Sequence, residues 1–172
     1  ARSRRGVVPR PRLSQGMDRA VASKLTLVSA PAGFGKTTML AEWLVTGPPA
    51  PTSERSAAWL SLDQGDSAPA SFWAYVIAAL RRVEPEVGAT ALTLLQSPGP
   101  PPIQTVLTTL INDLSDLAND LVLVLDDFHL IDARDVQDGM AFLLEHLPPQ
   151  IYVVIAGRAD EAIATLDKVQ KQ

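Results

Sequence analysis

The stretch SAPAGFGKTT, residues 29–38, has the spacing of a loop that binds the phosphates of a nucleotide. Gly33 and Gly35 let backbone N–H groups turn toward phosphate oxygens, because a glycine has no Cβ to obstruct them. Lys36 is placed to reach the β- and γ-phosphates as a point charge, and the Thr37 hydroxyl is placed to hold Mg²⁺. The stretch therefore predicts a nucleotide site.

The loop departs from the usual motif at its first position, where Ala30 replaces a glycine. We expect the alanine to be tolerated there if its φ angle is negative. A glycine-rich turn that merely joins two elements is the simpler alternative. However, the loop lies between a predicted strand at 25–30 and a predicted helix at 37–45, which is the setting that the motif requires. The predicted nucleotide-binding residues of the loop are Ala30, Gly33, Phe34, Gly35, Lys36, Thr37 and Thr38.

A pair of carboxylates follows the apolar run LVLVL at 121–125. A phosphate-binding loop needs an acid at the tip of another central strand to organise the metal ion. Asp126 is placed to do this opposite Thr37, and Asp127 is placed to orient or deprotonate the attacking water. Two aspartates after a strand are often only the start of a loop, but the presence of GKTT favours the functional interpretation.

Two more polar residues lie near predicted strand ends. Arg158 follows IYVVIAG and could reach the γ-phosphate, where a guanidinium would sense or stabilise charge. The alternative for Arg158 is an ordinary surface arginine. For His129, a loop histidine that packs against its neighbours is at least as plausible as a catalytic one.

The elements that must position these residues alternate between buried strands and amphipathic helices, which predicts an α/β fold with a parallel sheet covered on both faces. Ligands of such sheets lie at the carboxyl ends of the strands. The predicted strands are 25–30, 57–62, 121–125 and 151–156, and the predicted helices are 37–45, 69–83, 86–96, 103–117 and a stripe from Val136 to Leu147.

The composition of the 172-residue chain narrows its function class. A net charge of −4 argues against a chain that is wholly a polyanion-binding surface. The absence of cysteine excludes disulfides and thiolate metal sites and fits a reducing compartment, so we expect the cytoplasm. No apolar run reaches the roughly 18 residues that span a bilayer. The arginine-rich start, ARSRRGVVPRPR, lacks the apolar region of a secretory signal.

Several segments together resemble one family: VPRPRL, LVSAPAGFGKTTMLAEWL, WLSLDQGDS, FWAYVIAALRRV, LVLVLDDFHLID and the IAGR end of the last strand. They are similar to the signal-transduction NTPase (STAND) domain of large ATP-binding LuxR-type transcriptional regulators, of the kind that includes the maltose-regulon activator. The resemblance implies a three-layer P-loop NTPase fold of the ASCE/AAA-like type. SAPAGFGKTT is the common form of the loop in that family, which favours a working site despite Ala30.

The resemblance also implies roles for the site residues. Lys36 and Thr37 would be ligands of phosphate and Mg²⁺, and Asp126 would organise the metal. Asp127 would be the hydrolytic acid, and Arg158 would be the sensor of the γ-phosphate. The implied cofactors are ATP or ADP with Mg²⁺.

The resemblance indicates an entry segment at 1–24 and a P-loop NTPase core at 25–158. The spacing of Ile163, Leu166 and Val169 predicts a helical tail at 159–172. The entry segment would border the nucleotide base, so Arg10 or Arg12 could contact the nucleotide. Family members continue past the sensor with a fifth strand and a winged-helix lid, whereas the tail DEAIATLDKVQKQ does not match that pattern. We therefore expect the fifth strand and the lid to be absent, and nucleotide binding to be weaker without the lid.

The favoured function is a regulatory ATPase module with slow, Mg²⁺-dependent turnover. In a full-length regulator, an inducer, self-association and DNA would act through other domains, and this chain alone would bind neither DNA nor a membrane. Two alternatives stay open. One is a metabolic P-loop enzyme such as a small-molecule kinase, and the other is a nucleotide-dependent interaction module that does not hydrolyse.

Overall fold

The computed structural model describes residues 24–29, 31, 33, 35–46 and 55–158. Within these ranges, four strands form one fully parallel sheet in the order β1-β4-β3-β2. The predicted tail helix, the entry segment and any fifth strand lie outside the described residues. The strands are β1 Leu25–Ser29, β2 Ser56–Ser61, β3 Leu121–Asp126 and β4 Ile151–Gly157.

Helices connect the strands at the positions that the apolar periodicity predicts. They are α1 Lys36–Thr46, α2 Pro69–Arg81, α3 Ala89–Leu95, α4 Ile103–Ser115 and α5 Arg134–Glu145. In the part of the chain that the structure describes, no helix is long and apolar enough to cross a bilayer.

Three helices are shorter than predicted. The first, α2, ends at Arg81 and not at residue 83. The helix predicted from residue 86 begins only at Ala89, because Gly88 has a left-handed backbone with φ 76°. The helix predicted to reach residue 117 ends at Ser115. The Gln150 side chain donates to the carbonyls of Leu114 and Ser115 in the last turn and to that of Leu117 just beyond it. This amide thus satisfies acceptors that the end of a helix leaves unpaired.

The sheet is covered on both faces, as its continuous apolar strands predict. On β3, Val122 and Val124 face the side on which Leu40 and Trp43 of α1 pack. The alternate residues of the same strand, such as Leu123, face the larger core formed by α2 to α5. The fold is therefore a three-layer α/β fold with α1 on one side of the sheet.

The strand order brings the predicted site residues together. β4 lies between β1 and β3, so the tip that ends at Gly157 separates the loop after Ser29 from the acids after Leu125. α1 leaves β1 toward one face, whereas α5 leaves β3 toward the other. A crevice of this kind at the carboxyl ends is where ligands bind in open α/β sheets.

The contact between α5 and α2 gives a stability prediction. A Cβ added at Gly139 would lie 2.8 Å from Cζ2 of Trp73, a fully buried ring. We expect Gly139→Ala to lower the free energy of unfolding by about 1–3 kcal/mol, because an overpacked core must shift. Gly99→Ala is the matched control, since a Cβ there meets no atom within 4 Å. Equal urea midpoints for the two variants would contradict the prediction.

Candidate nucleotide-binding site

The loop between β1 and α1 has the backbone geometry of a phosphate cradle. Gly33 and Gly35 have φ angles of 84° and 72°, a region that L side chains rarely adopt. A Cβ at either position would meet nothing within 4 Å, so the space beside the backbone is open. The glycines are therefore needed for backbone conformation. Ala30 and Phe34 lie outside the described residues, and so the predicted φ of Ala30 stays a prediction.

The first residues of α1 supply the cation and the hydroxyl of the predicted site. Lys36 begins the helix, and both Lys36 and Thr37 line a cavity at the carboxyl edge of the sheet. The positive end of the helix dipole adds to the attraction for anions at this point. Thr38, also predicted to bind nucleotide, is exposed on α1 and does not line the cavity.

The Thr37 hydroxyl and the Asp126 carboxylate are in direct contact across the sheet. The Thr37 Oγ1 donates to Asp126 Oδ2 at 2.7 Å, and the backbone N–H of Asp127 donates to the other carboxylate oxygen at 3.0 Å. Asp126 is only 2% exposed, so these two hydrogen bonds fix its orientation. A hydroxyl and a carboxylate are hard oxygen ligands, which suits Mg²⁺.

The chain itself offers few further metal ligands here. Among the described residues, no group of three His, Cys, Asp or Glu side chains is arranged to hold a metal ion. Mg²⁺ typically keeps several water ligands and binds through one or two carboxylates together with substrate phosphates. The contact between Thr37 and Asp126 fits a metal ion that arrives with its nucleotide.

Asp127 has an unusual backbone conformation. In the described ranges it is the one non-glycine residue with a positive φ, at 57° with ψ 32°. Aspartate and asparagine tolerate this left-handed region better than most residues, although it still costs energy. Its side chain lines the cavity. A strained carboxylate at the edge of a cavity points to a functional constraint.

His129 and Arg158 meet at the end of β4. The Arg158 backbone N–H donates to Nδ1 of His129 at 3.4 Å, and both residues line the cavity. A Cβ at Gly157 would lie 3.3 Å from the same nitrogen, so the glycine lets the imidazole approach the strand. The sequence leaves the role of His129 open, since its placement depends on β3 and β4 being neighbours.

The cavity has a volume of about 410 Å³. Residues from three strand ends converge on it, although more than a hundred positions of sequence separate the first from the last. Arg10 and Arg12, either of which could contact the nucleotide, lie outside the described residues. The lining residues are Pro31, Gly33, Gly35, Lys36, Thr37, Asp127, His129, Leu130 and Arg158.

Comparison with known proteins agrees with this fold and these motifs. No protein-family model matches the chain. The chain is 28% identical over 158 residues to the HTH-type transcriptional regulator MalT of Vibrio cholerae serotype O1 and 31% identical over 151 residues to MalT of Klebsiella pneumoniae subsp. pneumoniae. These alignments cover 92% and 88% of the chain.

A solved structure supports the fold independently. The crystal structure of Cdc6p from Pyrobaculum aerophilum matches 98% of this chain and 45% of its own, with a TM-score of 0.59 at 20% sequence identity. The chain spans only 17% and 16% of the length of the two MalT relatives. Fold, motifs and alignments agree: the chain has a P-loop NTPase fold and is related to one part of the HTH-type transcriptional regulators MalT.

Proposed function

We propose that the chain is an ATP-binding, slowly hydrolysing switch module of a signal-responsive transcriptional regulator. The observation that carries the proposal is the convergence on one cavity of a phosphate cradle, a cation, a hydroxyl bonded to a buried carboxylate, a second carboxylate and an arginine. A turn that only joins a strand to a helix would not need the hydroxyl bonded to a carboxylate, the second carboxylate or the arginine. MalT relatives that are named transcriptional regulators support the regulatory part.

Nucleotide binding would depend on the loop and on the start of α1. The Lys36 ammonium would neutralise the β- and γ-phosphates, and backbone N–H groups around Gly33 and Gly35 would donate to phosphate oxygens. Thr37 and Asp126 would hold Mg²⁺. When bound, this ion would offset the charge that develops on the phosphates during transfer.

Hydrolysis would depend on Asp127 and Arg158. The Asp127 carboxylate would orient a water molecule and accept its proton as the oxygen attacks the γ-phosphorus. The bond from that phosphorus to the β,γ-bridging oxygen would break, and ADP would leave. The Arg158 guanidinium would stabilise the negative charge that shifts onto the phosphate oxygens. His129 would hold the backbone of Arg158 at the cavity through the contact at its Nδ1.

The regulatory setting is part of the same proposal and is supported by the names of the relatives. ATP and an inducer would favour an active, self-associating state, and hydrolysis would reset it. Inducer and DNA would bind other domains of a cytoplasmic regulator. The chain would comprise the entry segment at 1–24, the NTPase core at 25–158 and the tail at 159–172.

Substitution of Thr37 tests the proposed role of Mg²⁺ in nucleotide binding. Calorimetry should show that the wild-type chain binds ATP more weakly when EDTA replaces Mg²⁺. We expect Thr37→Ala to lose most of this difference, because it removes the hydroxyl that bonds Asp126. Thr37→Ser keeps a hydroxyl and should behave as the wild type. A wild-type response to Mg²⁺ in the alanine variant would contradict Thr37 as a ligand.

A further inference from the structure

Phe128 separates two residues of the candidate site. Its neighbours Asp127 and His129 both line the cavity, whereas the Phe128 side chain is 1% exposed and belongs to the larger core. The chain therefore directs two polar groups to the ligand side and the intervening ring to the opposite side. Any displacement of that ring would move both polar neighbours.

The backbone that carries these residues has little regular structure of its own. It forms one 3₁₀ turn, Phe128–Leu130, with hydrogen bonds from Leu130 to Asp127 and from Ile131 to Phe128, both 3.0 Å long. Short 3₁₀ turns have poorer hydrogen-bond geometry than α-helices. The turn also begins at the left-handed Asp127. Buried side chains must therefore stabilise it.

The buried support for Phe128 comes from α2. The ring of Phe72, in the first turn of that helix, lies edge-on to Phe128 with centroids 6.2 Å apart and planes at 70°. Phe72 is itself held edge-on by Trp73, with centroids 4.9 Å apart. Both residues are fully buried. Such edge-on pairs have a preferred geometry, so they constrain orientation more than an aliphatic contact does.

We infer that Phe128 is a positioning residue, which through its contact with Phe72 holds Asp127 and His129 in the orientation that hydrolysis requires. The inference rests on the proposed function. Phosphate binding, by contrast, would depend on the loop and on α1, and α1 packs on the other face of the sheet. Loss of the aromatic contact should therefore impair turnover and spare nucleotide affinity.

The kinetic test compares Phe128→Leu and Phe72→Leu with Leu110→Ala. Leu110 is fully buried in the same core on α4 and does not line the cavity. Its alanine variant should therefore lose stability, as the leucine variants do, but leave the turn undisturbed. Both leucine variants should lower kcat for ATP roughly tenfold to a hundredfold, as expected for misplaced reacting groups. Their Kd for Mg²⁺–ATP should change by less than about threefold. An equal loss of kcat in Leu110→Ala would overturn the inference.

A second measurement, of histidine tautomers by NMR, needs no nucleotide. The chain has two histidines, and they are expected to be opposite tautomers. His129 Nδ1 accepts from the Arg158 N–H, whereas His146 Nδ1 donates to the Phe142 carbonyl at 2.8 Å. Ring ¹⁵N chemical shifts of the neutral imidazoles distinguish the two forms. In Phe128→Leu and Phe72→Leu, His129 should shift toward a mixture of tautomers while His146 stays unchanged.

The two measurements separate failure of the inference from failure of the proposed function. A wild-type chain that binds but does not hydrolyse ATP would contradict the proposed turnover, and the His129 tautomer would still decide the inference. Should Phe128→Leu not fold, Phe72→Leu removes the same contact and keeps the Phe128 ring. If a folded variant that lacks the contact keeps the wild-type ¹⁵N chemical shifts of His129, then Phe128 does not position the turn.

Discussion

Replacing Lys36 with alanine should abolish detectable ATP binding. The wild-type chain is expected to bind Mg²⁺–ATP in the micromolar range or more weakly. Lys36 lines the cavity at the start of α1, next to the space that phosphates would fill. Loss of this charge should raise Kd by roughly 100-fold or more, which corresponds to about 2.8 kcal/mol of binding free energy. Isothermal titration calorimetry with Mg²⁺–ATP measures the change directly.

The control for Lys36→Ala is Arg82→Ala. Arg82 is an exposed cation at the end of α2 that does not line the cavity, so its removal changes the net charge by the same amount. Binding should be unaffected in this variant. If Lys36→Ala bound ATP as well as the control, the site assignment would be wrong.

Asp127→Asn should separate binding from hydrolysis. Asparagine tolerates the left-handed backbone observed at this position, so the variant removes the negative charge with little disturbance of the turn. If the carboxylate accepts a proton from water, kcat should fall by roughly 10²- to 10⁴-fold. Kd for ATP should stay near the wild-type value. A phosphate-release assay under single-turnover conditions gives the rate.

Comparison with Asp127→Ala adds a test of the backbone. Alanine removes the same charge but accommodates a positive φ poorly, so this variant should also lose thermal stability. A wild-type rate in Asp127→Asn would favour a different hydrolytic residue. No measurable hydrolysis in either the wild type or the variant would favour the nucleotide-dependent interaction module.

The sequence predicts the strands and most helices because their apolar patterns are long and are bounded by proline or glycine. Asp126 could be assigned from its position after LVLVL, and the structure does bring it to Thr37. The roles of these residues stay predictions. Helix ends were less predictable, since carbonyls at the end of α4 accept hydrogen bonds from Gln150, a residue distant in sequence.

The surroundings of Asp127 could not be read from the sequence. Its left-handed backbone lies directly before a 3₁₀ turn, and the contact between His129 and Arg158 requires β3 and β4 to be adjacent. Strand order is a tertiary property that residue types alone do not encode locally. Thr38, which the motif spacing includes among the nucleotide contacts, does not line the cavity, and its role stays a prediction.

The core on each face of the sheet contains a buried tryptophan, so fluorescence can follow the two faces separately. Trp43 is buried on the side of the sheet where α1 packs, and Trp73 is buried on the other side, next to the ring that contacts Phe128. Replacing Trp59 and either buried tryptophan with phenylalanine would leave one emitting residue. Fluorescence would then report on the phosphate side and the hydrolytic side of the domain independently, without an attached dye.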